Sequence, residues 1–146
     1  MKNKKLIIQI IIPLLIGGLV GIITKTFMDY QDLIKPPLAP PSILFPIIWT
    51  ILYIIMGISA YIISKKDRVP TIYYWQLFIN ALWSIIFFVF KWRFIAFLWI
   101  IILIISIIKM IKEFKKISPK AAYLQIPYLL WTIFAAYLNL GIYLLN

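Results

Sequence analysis

The sequence contains no cysteine and no histidine among its 146 residues. The chain therefore forms no disulfide, and it lacks thiolate nucleophiles, imidazole bases and the usual side-chain ligands of zinc, haem iron and iron–sulfur clusters. We expect no bound metal and no required cofactor. Conventional catalytic residues are scarce, and the sequence alone does not establish whether the protein is an enzyme.

Acidic residues are also scarce. The four that occur are Asp29, Asp32, Asp67 and Glu113, and we expect all of them to lie in loops. Carboxylates inside a membrane commonly serve proton relays or pair with other charged groups along a transport pathway. Their absence from the hydrophobic runs argues against a proton-coupled antiporter.

Hydrophobic residues make up 64% of the chain, and the mean hydropathy is +1.02. Uncharged runs cover residues 6–24, 36–64, 69–90, 94–108 and 121–146, and about 20 helical residues cross a bilayer. The fourth run is long enough if Lys109 extends its amine to the interface. We predict an all-α integral membrane protein, a bundle of five transmembrane helices forming one membrane domain over residues 1–146. The expected helices cover about 6–27, 43–64, 71–90, 93–111 and 120–144, with a proline-rich lid loop over 28–42.

The distribution of the 15 basic residues predicts the orientation of this bundle. Eleven fall on the N-terminal side of the membrane and four on the side of the lid. Because positive charge is retained in the cytoplasm, the N-terminus is predicted inside, with the lid and the C-terminus outside. The basic residues are scattered over short connections, so we expect no nucleic-acid partner. The excess of lysine over arginine, 13 to 2, favours a low-GC bacterium and hence a multi-pass protein of a bacterial plasma membrane.

The segment from Lys35 to Gly57 is the most informative part of the sequence. It holds five of the nine prolines, and residues 35–41 should be extended and polyproline-like. Trp49 and Tyr53 follow one helical turn apart. This pattern predicts a stiff lid that leads into a pocket within the membrane.

Two further stripes favour the same pocket. On the third predicted helix Gln76, Asn80 and Trp83 share one face, and on the fifth Trp131 and Ala135 do so, with Asn139 one turn further. Such stripes could form the wall of a site for a flat, largely apolar ligand. The alternative is that the amides of Gln76 and Asn80 only hydrogen-bond neighbouring helices, and the spacing does not decide between the two.

Gly17 and Gly21 form a GxxxG pair on the first predicted helix. Small residues at this spacing let two helices approach closely, either within one chain or between two. The pair is a possible packing face for a homodimer.

Four segments together resemble the translocator protein family, also called tryptophan-rich sensory proteins or peripheral-type benzodiazepine receptors. They are Tyr30 to Pro41 (YQDLIKPPLAPP), Phe45 to Gly57 (FPIIWTILYIIMG), Gln76 to Phe88 (QLFINALWSIIFF) and Ile117 to Asn139 (ISPKAAYLQIPYLLWTIFAAYLN). The resemblance spans all five predicted helices. It implies a membrane receptor or sensor, commonly a homodimer, that binds porphyrins such as protoporphyrin IX and benzodiazepine-site ligands.

The resemblance also implies roles for individual residues. By position in the matching motifs, the ligand-binding residues are Tyr30, Pro40, Trp49, Tyr53, Asn80, Trp83, Trp131 and Ala135, and Gln76 joins them by its spacing. The family is associated with light-dependent degradation of protoporphyrin, for which Trp49 and Trp131 are the candidate catalytic residues. Passive or partner-driven transport of tetrapyrroles is the alternative function.

The sequence departs from the family pattern in three places. Leu38 stands where many relatives carry a tryptophan in the lid, and Ala81 replaces an aromatic residue on the third helix. The cholesterol-recognition pattern of animal members needs a basic residue after a tyrosine, whereas Tyr143 is followed by Leu144, Leu145 and Asn146. We therefore expect no sterol-binding role of that kind.

Overall fold

The computed structural model describes residues 2–27 and 29–146, without the side chain of Lys2. Met28, the first residue of the predicted lid, lies outside the described residues, as does Met1. Six α-helices follow in order within these described residues: α1 (Lys2–Lys25), α2 (Leu44–Ser64), α3 (Thr71–Ser84), α4 (Arg93–Ile117), α5 (Pro119–Leu124) and α6 (Ile126–Leu145). A 3₁₀ turn at Tyr30–Asp32 lies in the lid, and a π-helical turn at Ile85–Val89 extends α3.

In the part of the chain that the structure describes, five helical segments are long and apolar enough to cross a membrane: Asn3–Lys25, Leu44–Ser64, Thr71–Val89, Arg93–Ile117 and Pro119–Leu145. Within residues 2–27 and 29–146 every regular element is helical, and no strand occurs. The predicted all-α, five-span membrane fold is confirmed. The orientation of the termini stays a prediction.

Proline and serine set several of the helix ends. Pro70 precedes α3 with an extended backbone, and Ser118 caps α5 by accepting a hydrogen bond from the Ala121 amide. Pro127 lies in the first turn of α6, where its missing N–H removes no helical hydrogen bond. The segment expected as one helix over 120–144 is therefore divided at Gln125 into α5 and α6.

The fourth span does not end near residue 111, as the hydrophobic run had indicated. Helix α4 continues to Ile117 through a stretch that includes Lys112, Glu113 and Lys116. The expectation that all four acids lie in loops is thus wrong for Glu113, which belongs to α4 and pairs with Lys116 at 3.5 Å. Asp32 lies in the 3₁₀ turn. Charged side chains three residues apart support a helix beyond its apolar part, and hydropathy alone does not detect this.

The helices form a closed ring. Helix α1 packs on α2 and α3, α3 packs on α4, α4 packs on α5 and α6, and these last two pack on α2. Gly57 permits the close approach of α2 to α1, because a Cβ there would lie 2.5 Å from the Ile10 Cα. Gly17 faces the ring of Tyr53, whereas a Cβ on Gly18 or Gly21 would meet nothing within 4 Å. Gly17 thus serves packing within the chain, and Gly18 and Gly21 have open space around them.

Candidate ligand site

The lid connects α1 to α2 and closes over the start of α2. Tyr30 is only 4% exposed, and its hydroxyl donates to the Pro40 carbonyl over 2.7 Å. The Tyr30 ring meets Phe45 edge-on, with centroids 5.0 Å apart. On the lid itself, the Lys35 amine lies 4.8 Å from the centre of the Tyr30 ring. Tyr30 therefore joins the two ends of the lid and attaches them to the first turn of α2.

The prolines of the lid lie against the second half of α6. The Tyr137 hydroxyl donates to the Pro37 carbonyl over 2.6 Å. Gly141 faces Pro36 so closely that an added Cβ would lie 2.5 Å from the proline ring. A side chain at position 141 would push the lid away from α6.

Asn146 completes this attachment. Its side-chain carbonyl accepts from the Ile34 amide over 3.1 Å, and its side-chain amide donates to the Ile34 carbonyl over 2.8 Å. The same amide also donates to the Ile142 carbonyl. The two bonds to Ile34 imitate the pairing of one strand residue with another, and they hold the lid at its N-terminal end.

Aromatic rings on α2 and α6 lie below the lid. Phe45 on α2 lies 6.1 Å from Trp131 on α6. One turn further along α2, Trp49 stacks on Tyr53 with centroids 5.6 Å apart, and it meets the edge of Tyr128 at 6.2 Å. The facing surfaces of α2 and α6 thus present rings at two depths, which suits a flat aromatic ligand.

A chain of hydrogen bonds forms the floor of the site. The Tyr53 hydroxyl donates to the Asn80 carbonyl over 2.8 Å, and the Asn80 amide donates to the Tyr128 hydroxyl over 2.8 Å. Tyr128 donates in turn to the Gln76 carbonyl over 2.7 Å, and the Gln76 amide donates to the main-chain carbonyl of Tyr73. Helices α2, α3 and α6 are joined by neutral groups, and Gln76, Asn80 and Tyr128 are buried.

A second polar connection lies nearer the lid. The Trp83 indole donates to the Asn139 carbonyl over 3.0 Å, and the Asn139 amide donates to the main-chain carbonyl of Arg93. The Arg93 guanidinium binds the Asp29 carboxylate at 2.7 Å, and Lys91 approaches the same carboxylate at 3.7 Å. These contacts connect α3, α6 and the start of α4 to the beginning of the lid.

One polar atom in the wall has no partner. The indole nitrogen of Trp131 is buried and makes no hydrogen bond within the protein. Ala135, one turn further along α6, is buried at 6% exposure and adds no bulk to this wall. The site therefore offers an unused hydrogen-bond donor beside a small residue.

Electrostatically the site is dominated by neutral groups. Burial raises the pKa of the Tyr30 phenol above its ordinary value of 10.0, so this hydroxyl stays protonated and able to donate. Among the described residues no group of three or more acids could hold a metal ion. The chemistry available here is stacking, burial of apolar surface and hydrogen bonding to neutral donors and acceptors.

The structure brings most of the sequence-predicted residues into one region between α2, α3 and α6. Trp49, Tyr53, Gln76 and Asn80 lie in the inner aromatic layer and the floor, and Tyr30 and Pro40 close the lid. Trp131 lies in the outer layer and Ala135 one turn beyond it. Trp83 reaches Asn139 rather than the amides of its own stripe.

Sequence reasoning did not single out several residues that complete the site. They are Phe45, Tyr128, Tyr137, Gly141 and Asn146. Tyr128 could have been found, since it lies three residues before Trp131 and so on the same face of the helix. Phe45 likewise precedes Trp49 by one turn. The lid partners on α6 carry no local signal, because they act on a segment about 100 residues away.

Comparison with known proteins assigns the chain to a family. The model of the TspO/MBR family matches residues 9–145. The chain belongs to the TspO/MBR family. The tryptophan-rich protein TspO of Archaeoglobus fulgidus is 38% identical over the whole of this chain and 99% of its own length.

Family members from other groups of organisms are similar over most of their length. The translocator protein of Ovis aries is 35% identical over 84% of this chain and 79% of its own length. The tryptophan-rich sensory protein of Cereibacter sphaeroides is 30% identical over 86% of this chain and 82% of its own length. The chain is therefore a multi-pass membrane protein of a family that includes sensory and translocator proteins.

Proposed function

We propose that this TspO/MBR protein is a receptor or sensor of a bacterial plasma membrane that binds porphyrins, protoporphyrin IX among them, between α2, α3 and α6. Flat ligands of the benzodiazepine-site type would use the same space. The observation that carries the proposal is the pair of aromatic layers above a hydrogen-bonded neutral floor, closed by the lid. A large planar ring system is complementary to such a site.

The expected strength of binding follows from the rings available. A favourable aromatic pair contributes about 0.5–1.5 kcal/mol beyond the burial of its area. Stacking on Trp49 and Trp131 would add to the burial of a porphyrin face, and about 8 kcal/mol in total corresponds to a micromolar dissociation constant. The unpartnered indole N–H of Trp131 would be satisfied by an acceptor on the ligand.

The same site would serve light-dependent degradation of bound protoporphyrin. The excited pigment would supply the difficult chemistry, and the protein would hold it against oxidisable side chains. Trp49 and Trp131 are the candidates, since each lies in one aromatic layer. Binding and degradation are separable, because a ring at position 131 can be kept while the indole is removed.

The test is a titration of protoporphyrin IX into detergent-purified protein in the dark, followed by tryptophan fluorescence. Saturable quenching is expected, with weaker binding in the double variant Trp49→Ala/Trp131→Ala, which removes both stacking rings. Trp75→Ala is the matched control, because Trp75 is 60% exposed on the outside of α3 and its loss should not alter the affinity. Unchanged affinity in the double variant would refute the assignment of the site.

Illumination of the saturated complex then tests degradation. A new absorption band that forms in the wild type and is suppressed in Trp131→Phe, with affinity largely retained, supports the photochemical role. Porphyrin binding without a photoproduct would favour a sensor over a degrading enzyme. Porphyrin uptake into vesicles that contain only this protein would instead favour passive transport.

The predicted orientation and the expected homodimer can be tested on the same chain, because it has no native cysteine. A cysteine at Lys66 should react with an impermeant maleimide only after cells are opened, and one at Leu38 should react in intact cells. A cysteine at Gly21 should form a disulfide between two copies if the open face of α1 is the dimer contact. Cysteine at Gly17, which faces Tyr53, is the negative control.

A further inference from the structure

An open groove of about 730 Å³ lies outside the aromatic site, at the end of the bundle that carries the lid. The start of α4 forms one side and the end of α6 the other. Its lining residues are Lys91, Trp92, Arg93, Phe94, Ile95, Ile142, Tyr143, Leu144 and Asn146. None of them belongs to the aromatic layers or the floor, so the groove is a separate feature of the surface.

Both charged side chains that line the groove are cationic. The side chain of Lys91 is 47% exposed and that of Arg93 is 13% exposed. Asp29 beside the groove takes one terminal nitrogen of Arg93 at 2.7 Å, and it lies 3.7 Å from the Lys91 amine. The Arg93 Nε is buried and has no partner. Asp29 therefore neutralises only part of the positive charge and leaves donors for an anion.

The rest of the groove is apolar and aromatic. Trp92 is 58% exposed, and Phe94 packs against Tyr143 with ring centroids 5.3 Å apart. Below Phe94, Leu98 continues the exposed apolar face of α4 one turn deeper into the span. Aromatic side chains at the end of a span commonly lie at the level of lipid headgroups. The groove thus combines a cationic end with an apolar path into the bilayer.

We propose that this groove binds an anionic phospholipid, with its phosphate at Lys91 and Arg93 and an acyl chain along Phe94 and Leu98. Free phosphate would use the cations but gain nothing from the exposed apolar face. A zwitterionic lipid would use the apolar face but would bring a positive headgroup toward Lys91. An anionic lipid matches both ends of the groove, and the proposal does not depend on porphyrin binding.

Native mass spectrometry of the detergent-purified protein tests the proposal with two lipids of equal chain length, phosphatidylglycerol and phosphatidylcholine. Wild-type protein should retain phosphatidylglycerol preferentially. One basic residue near a membrane surface contributes a factor of about five in affinity for anionic lipid. Lys91→Gln should therefore bind phosphatidylglycerol about five-fold more weakly, with phosphatidylcholine unchanged. Lys115→Gln, an exposed lysine at the other end of α4, is the matched control.

A second variant should act in the opposite direction. Asp29→Asn removes the carboxylate that competes for Lys91 and Arg93, so it should strengthen the binding of phosphatidylglycerol. Equal retention of the two lipids by the wild type would overturn the proposal. So would an equal loss in Lys91→Gln and Lys115→Gln, or weaker binding in Asp29→Asn. If glycerol phosphate at millimolar concentration displaced the lipid completely, the acyl chain would have no role and the proposed lipid path would be wrong.

Discussion

The floor and the lid of the candidate site are held by different kinds of contact. In the floor, side chains from α2, α3 and α6 hydrogen-bond one another, and most of them are buried. In the lid, the prolines have no N–H and offer only carbonyl acceptors. The Tyr30 hydroxyl donates to the Pro40 carbonyl in a partly buried position. The Tyr137 hydroxyl of α6 donates to the Pro37 carbonyl in an exposed one.

This difference has an energetic consequence. A floor partner that is lost leaves a buried polar group unpaired, whereas a lid partner that is lost leaves a group that water can reach. We therefore expect the floor to determine the stability of the bundle. The lid should determine how readily a ligand enters.

The largest effect is expected for Asn80→Leu. Asn80 accepts from Tyr53 and donates to Tyr128, so leucine leaves the partly buried Tyr53 hydroxyl and the buried Tyr128 hydroxyl with fewer partners. The free energy of unfolding should fall by about 1–3 kcal/mol, toward the lower end of this range because interhelical hydrogen bonds in a membrane contribute about 0.6–2 kcal/mol each. Thermal unfolding in detergent measures the loss. Ser106→Ala is the control, because its hydroxyl bonds only within α4; an equal loss in both variants would contradict a structural role of the floor.

A smaller effect on stability, with a clear effect on the lid, is expected for Asn146→Ala. Both hydrogen bonds to Ile34 disappear, yet the freed main-chain groups can bind water. The free energy of unfolding should therefore fall by only about 1 kcal/mol. Hydrogen exchange should show faster exchange of the Ile34 amide and little change in α3. Ser64→Ala, at the opposite end of α2, should leave the lid unchanged. A lid that exchanges at the wild-type rate in Asn146→Ala would show that this attachment is dispensable.

The residues of the floor could largely be predicted from the sequence, and the attachment of the lid could not. Hydropathy runs identify the spans because each must cover about 20 apolar residues. Residues at i and i+4 share a face, so Gln76 with Asn80 and Trp49 with Tyr53 were correctly placed together on their helices. Which partner each finds on a neighbouring helix depends on rotation and tilt, and no spacing rule gives these.

The attachment of the lid shows the limit most clearly. The polyproline stretch predicts an extended path, but nothing near Pro37 indicates Tyr137 as its partner. From the sequence alone, Gly141 is an ordinary small residue of a membrane helix. Only the structure shows that Pro36 packs against it. Contacts between distant segments set these features.

The pH dependence of the lid should be a smaller effect again. The Tyr30 pKa is raised by burial, so the contribution of its hydrogen bond to lid closure is complete below pH about 10 and is lost as the pH rises through the raised pKa. Exchange of the lid amides, compared between pH 8 and 11, should increase in the wild type more than in Tyr30→Phe after correction for intrinsic rates. The Lys35 amine lies over the same ring, so Lys35→Met is the control for a contribution from that contact. An identical pH dependence in the wild type and Tyr30→Phe would exclude the phenol as the cause.

The smallest effect is expected for Leu38→Gly. Leu38 is 84% exposed and has a φ of 72°, in the left-handed region that costs a side-chain-bearing residue about 1–2 kcal/mol. Glycine removes that cost but also gives the open lid more freedom, worth about 0.5–1 kcal/mol. The closed lid should therefore gain about 0.5 kcal/mol, seen as slightly slower exchange of the Ala39 amide, which donates to the Pro36 carbonyl. Leu38→Ala keeps the unfavourable φ and removes the side chain, so it should show no such gain; equal slowing in both variants would assign the effect to the leucine side chain instead of the backbone.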